Sequence, residues 1–170
     1  PLSLVGSEMC IRDRIKIMQH TENMMKKYLL IFPLLMMQLD LHSANHVVKM
    51  LNQGSGGVMV FEPAVLKVAV GDSVTFESTD AAHNSASLPG MIPENAVSWN
   101  GQLSRDITVT LTQPGVYAYQ CTPHSMMAMV GVIQVGDDTS NLATVKTKAQ
   151  MVKSSFVMNQ TRLDDYLAQL

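Results

Sequence analysis

The sequence lacks what several large functional classes need. It has no dense run of lysine or arginine: 12 basic residues stand against 14 acidic ones, for a formal charge of -2. The electrostatic footprint of a phosphate-binding surface is therefore missing, and nucleic acid is not expected as a partner. Its most apolar segment is too short to cross a bilayer, which takes roughly 20 helical residues. Cysteine is nearly absent, with Cys10 and Cys121 alone, so no disulfide framework can form. No Ser-His-Asp set and no obvious general base is visible, which disfavours chemistry on a bound substrate. What remains, 46% apolar and 15% charged residues in 170, is the balance of one ordinary globular domain.

The N-terminal part reads differently from the rest. Lys26 and Lys27 precede the apolar run Tyr28 to Met37, and Leu41-His-Ser-Ala44 ends in small residues that a signal peptidase accepts. Residues 24–44 are thus expected to be a signal peptide, whose removal leaves no membrane span. Residues 1–23 show neither periodicity nor turn logic and read as a lead-in foreign to the fold, Cys10 included. Residues 45–170 carry 7 basic and 10 acidic side chains and one cysteine, Cys121. A lone cysteine in an exported domain is inert core, a reactive thiol or a metal ligand.

From Val47 to Val135 short β-type runs alternate with turn residues: Val47–Asn52, Val58–Phe61, Val65–Val70, Ser73–Glu77, Ile107–Leu111, Val116–Cys121 and Val130–Val135. Gly54-Ser-Gly-Gly57, Val70-Gly-Asp72 and Gln113-Pro-Gly115 supply the backbone freedom and preset φ that tight turns need. Ile107-Thr-Val-Thr-Leu111 alternates with period two, so one of its faces is buried. Such spacing predicts a mainly β sandwich or barrel over residues 45–136. The stretch 80–102 has no strand rhythm and reads as a long functional connection. Residues 137–170 turn helical. Leu163, Tyr166, Leu167 and Leu170 form one stripe with Asn159 or Thr161 as its cap, and residues 141–150 form a second helix; both are expected to pack on the sandwich.

The chemistry concentrates in Cys121-Thr-Pro-His-Ser-Met-Met-Ala-Met129, a loop between two strands. Thiolate, imidazole and thioether are soft or borderline donors, and two imidazoles, one thiolate and a distant thioether make up the ligand set of type 1 copper. The second imidazole is His46 or His83. His83 is preferred, because it follows a strand by a short turn while His46 lies at the new N-terminus. Met126, Met127 and Met129 all offer a thioether. Pro123 lacks an N–H and so leaves the cysteine sulfur one donor fewer.

The stretches Met59-Val-Phe-Glu-Pro63, Gly71-Asp72, His83-Asn84, Gly90-Met-Ile-Pro93, Pro114-Gly-Val-Tyr117, Cys121-Thr-Pro-His124 and Met129-Val-Gly131 resemble, in order and spacing, the pseudoazurins among the small cupredoxins. The resemblance covers about residues 47–170. It implies a cupredoxin-like Greek-key sandwich of about eight strands with two C-terminal α-helices. It also implies one copper ion held by His83, Cys121, His124 and Met129. Asn84 would tie the two ligand loops together, and Met59 would pack near the exposed His124 ring. The family's lysines around the copper end are replaced by Ala81, Asn100, Gln102 and Gln120, and the aromatic residue after the second histidine by Ser125.

The function so implied is a monomeric periplasmic electron carrier, not an enzyme. It would shuttle single electrons between c-type cytochromes and a respiratory reductase such as nitrite reductase, in denitrification. Met59, Pro123, Met127 and Ala128 would form an apolar docking patch around His124. The competing reading is a periplasmic copper storage or delivery protein that uses the neighbouring methionines. A thiol enzyme using Cys121 and His124 is the third.

Overall fold

The computed structural model describes residues 43–170. The expected lead-in and nearly all of the expected signal peptide lie outside them; its last two residues, Ser43 and Ala44, bond to Gly71, Asp72 and Ser73. Among the described residues, no helix is long and apolar enough to cross a membrane.

Among the described residues eight strands form: β1 (Asn45–Gly54), β2 (Gly57–Glu62), β3 (Val65–Val68), β4 (Ser73–Glu77), β5 (Ala86–Ser87), β6 (Ile107–Thr110), β7 (Gly115–Gln120) and β8 (Val130–Val135). They make two four-stranded sheets, ordered β2-β1-β4-β6 and β3-β8-β7-β5. β1 runs parallel to β4 and β3 parallel to β8, while the other pairings are antiparallel. This is the sandwich that the strand spacing predicts, with the Greek-key order that the resemblance implies. Each of the seven expected runs forms a strand; Ser73–Glu77 and Val130–Val135 keep both expected ends, and the other five shift at one or both. Val70 falls outside β3 because the chain turns there, with Gly71 at φ 94°. β5 lies in the stretch read as irregular: two residues are too few to show a period, and pairing with Tyr119 and Gln120 creates the strand.

The side-chain period of two explains the layering. In β4, Val74 and Phe76 point inward and are fully buried, while Ser73, Thr75 and Glu77 between them are only partly covered. β7 has no such contrast. Tyr117 and Tyr119 enter the inter-sheet core, with Phe61, Phe76 and Trp99, while Val116 and Ala118 enter a second core under the helices. Tyr119 meets Phe61 and Phe76 edge-on, at centroid distances of 4.8 and 4.9 Å. Each such pair contributes about 0.5–1.5 kcal/mol beyond its area. Gly131 stands opposite Tyr119 on β8, and a Cβ there would come within 2.3 Å of the Tyr119 hydroxyl. The glycine thus admits the ring and fixes the register two residues before Cys121.

Helices α1 (Leu142–Lys153) and α2 (Arg162–Leu167) cover the outer face of the second sheet, burying Val145, Ala149, Leu163 and Leu167 against Val116, Ala118, Val130 and Val132. The stripe extends to Leu170, but the helix stops at Leu167. Thr161 holds the N-cap position without a side-chain bond, and Asn159 instead reaches the Met127 carbonyl at 3.4 Å.

Candidate metal centre

His83 lies in the β4–β5 connection, beyond Ala82 at φ 68°, and its carbonyl accepts the Ser104 N–H at 2.8 Å. It is completely buried. Cys121 is the first residue after β7, on the same face as Tyr117 and Tyr119, and is also buried. The loop that it opens closes on itself: the Cys121 N–H donates to the Met129 carbonyl at 2.9 Å, and the Met129 N–H to the His124 carbonyl at 3.3 Å. Between them, Ser125–Met127 make one 3₁₀ turn with His124 at its N-cap position and Ala128 left-handed at its end. His124 is half-buried, so of the three it alone reaches the surface.

The donor atoms converge. His83 Nδ1 and His124 Nδ1 are 3.1 Å apart, and Cys121 Sγ stands 3.7 Å from the first and 3.5 Å from the second. The point equidistant from the corners of that triangle lies about 2.0 Å from each, close to the usual metal bond to nitrogen and a little under that to sulfur. One ion would fit between the three, and two imidazoles with one thiolate are the donors of a type 1 copper site, to which a thioether is added. Met129 is fully buried in the same core as Cys121.

The surroundings prepare these atoms. His83 Nε2 faces Asn52 Oδ1 at 3.1 Å, so that nitrogen carries the proton and Nδ1 is left as a free lone pair. Burial, and then the neighbouring His124 ring, hold the His83 imidazole below its usual pKa, favouring the neutral form a metal needs. Burial pushes the Cys121 thiol up, opposed by the backbone N–H groups of Asn84 and His124. Asn84 joins the ligand loops. Its Oδ1 accepts the Thr122 N–H at 2.8 Å, and its Nδ2 donates to Gly101 O at 3.1 Å and Thr122 Oγ1 at 3.2 Å.

Of the expected docking residues, Pro123 is exposed and Met59 and Met127 are half-buried. Ala128 corrects the sequence reading: it is 0% exposed, because its left-handed turn carries it under the loop, and it belongs to no surface. Met59 packs against the core to which Cys121 and Met129 belong. Exposed apolar surface lies instead at Met126 (56%) and Val157 (66%), which are joined by a 2.8 Å bond from the Val157 N–H to the Met126 carbonyl. Asn52 carries no motif that would have flagged it, since it is exposed at the end of an edge hairpin and meets His83 only in three dimensions.

Comparison with known proteins agrees with this geometry. A family model described as copper binding proteins, plastocyanin/azurin family, matches residues 48–136. The chain is 42% identical over 128 residues to a pseudoazurin from Paracoccus pantotrophus, covering 75% of this chain and 85% of that one. Among solved structures, pseudoazurin from Methylobacterium extorquens AM1 aligns at 39% identity with a TM-score of 0.65, covering 74% of this chain and 98% of that one. Native pseudoazurin from Hyphomicrobium denitrificans aligns at 33% identity with a TM-score of 0.67, over the same shares. The chain belongs to the plastocyanin/azurin family of copper binding proteins and, within it, to the pseudoazurins.

Proposed function

We propose that this blue-copper electron carrier works in the periplasm as a monomer, taking single electrons from c-type cytochromes and passing them to a nitrite reductase or a similar respiratory reductase. His83, Cys121, His124 and Met129 are its copper ligands in this reading. The observation that carries it is the triangle of two imidazole nitrogens and one sulfur, of which only the His124 corner reaches solvent. When bound, copper supplies one-electron exchange between Cu(II) and Cu(I). The chain's own part is to hold the ligands still and to exclude water from all but one. The Cys121–Met129 and Met129–His124 backbone bonds and the Asn84 bridge do the first. The burial of His83, Cys121 and Met129 does the second.

Docking would occur around His124, over Pro123, Met59 and Met127, with Met126 and Val157 extending the apolar area. Ala81, Asn100, Gln102 and Gln120 bear no charge. Association should therefore respond weakly to salt.

The direct test is the colour of the protein with Cu(II). An intense thiolate-to-copper band that vanishes in Cys121→Ser is expected, with one copper ion per chain. A colourless complex, or several loosely held Cu(I) ions, would favour storage or delivery of the metal. Stopped-flow mixing of the reduced protein with a purified copper nitrite reductase tests the partner: failure to transfer an electron overturns that assignment and leaves the carrier role intact.

A further inference from the structure

Arg162 opens helix α2, far in sequence from the ligand loop, yet it is 8% exposed and its guanidinium gathers backbone carbonyls from two separate segments, residues 56–59 and the ligand loop at Ala128. Nη1 donates to Ala128 O at 3.0 Å, Met59 O at 3.0 Å and Val58 O at 3.3 Å, and Nη2 to Gly56 O at 3.2 Å and Val58 O at 3.3 Å. Among the described residues no carboxylate forms an ion pair with it. Carbonyl oxygens hold both of its terminal nitrogens.

Two of those carbonyls belong to strained residues. Met59 sits at φ 49° and Ala128 at φ 57°, left-handed conformations that a side chain disfavours and that persist only where the surroundings impose them. Both point their oxygens at the same nitrogen. The Ala128 carbonyl is half of the peptide whose other half is the Met129 N–H, and that N–H is held by the His124 carbonyl at 3.3 Å. The peptide leading into Met129 is therefore gripped from both sides, by Arg162 and by the backbone of His124.

We propose that Arg162 is a positioning residue for the metal centre: from the C-terminal helix it fixes the Ala128–Met129 peptide, and so sets how closely the Met129 thioether approaches the ion. This rests on Met129 being a copper ligand, as proposed above, and it gives α2 a role at the site besides covering the sheet. A planar fork that bridges Ala128 to the start of β2 has no substitute in lysine, whose single ammonium is a point donor on a flexible stem.

The test compares Cu(II)-loaded Arg162→Lys, Arg162→Met and Met129→Leu with the parent, by visible absorption, paramagnetic resonance and reduction potential. Metal-free unfolding is recorded beside them. Arg162→Lys should fold and bind one copper ion, but the intensity ratio of its two thiolate-to-copper bands and its potential should move away from the parent's. Arg162→Met should move them further in the same direction. A folded Arg162→Lys protein with parental spectrum and potential overturns the proposal, even if Arg162→Met does not fold. Should Met129→Leu itself leave the spectrum unchanged, the ligand assignment fails instead, a result distinct from the first.

Discussion

The side-chain oxygen of Asn84 accepts the Thr122 N–H at 2.8 Å, so the residue after one ligand is bonded to the residue after another. Asn84 is buried and also donates to Thr122 Oγ1 and Gly101 O, so it ties the loops together beside the metal-binding side chains themselves. Asn84→Ala leaves the Thr122 N–H without its acceptor and should cost about 1–3 kcal/mol of stability. Denaturant unfolding of the metal-free protein measures that cost, and copper should leave the variant faster. Equal stability in variant and parent would show that water replaces the bridge.

The contact between Asn52 and His83 makes a different prediction. Asn52→Leu removes the acceptor that keeps the proton on Nε2, freeing the ring to rotate or to place its proton on Nδ1. Loss of such a partner typically weakens metal affinity about 10- to 100-fold. Competition titration with a copper chelator reads this, and the fold should be retained, because Asn52 is exposed at the end of β1.

Gly131 should tolerate no side chain. A methyl group there would lie 2.3 Å from Tyr119 Oη and 2.4 Å from its Cζ, and both belong to a rigid, fully buried ring. Gly131→Ala is expected to destabilise the protein by about 1–3 kcal/mol through overpacking. Because Tyr119 precedes Cys121 by two residues on one strand face, the visible spectrum of the copper form should shift too. A destabilised variant with a parental spectrum would mean that the core yields on the side away from the metal.

Acid sensitivity is expected at the end of the sandwich where Asp72 lies. Its hydrogen bond with His46, then those from the Ala44 and Ala69 N–H groups, hold the carboxyl below its usual pKa. A carboxyl depressed on folding stabilises above its unfolded pKa, and that contribution is lost as pH falls through the folded value. The gap in melting temperature between parent and Asp72→Asn should be widest near neutral pH and close below about pH 4, where unfolded aspartates take up protons. A gap unchanged down to strongly acidic pH would count against the linkage.

Much of this was legible in the chain itself. Seven of the eight strands announce themselves by period and punctuation, because a half-buried strand must alternate and a tight turn must use glycine or proline. Cys121, His124 and Met129 share one loop, so their chemistry could be read from types and spacing. β5 was illegible, since two residues have no period. Ala128 was misread as surface: a small apolar residue beside an exposed histidine gives no sign of a left-handed turn that takes it inside.

The sequence by itself determined the β class, the ligand types and the loop that carries three of them, because these follow from side-chain chemistry and local repetition. Tertiary structure alone decided that the His83 ring stands 3.1 Å from that of His124, that Asn52 orients it, and that Arg162 grips the loop from a helix 34 residues beyond Ala128. Such contacts depend on how two sheets and a helix pack. Packing is a property of the folded whole that leaves no periodic mark on any one segment.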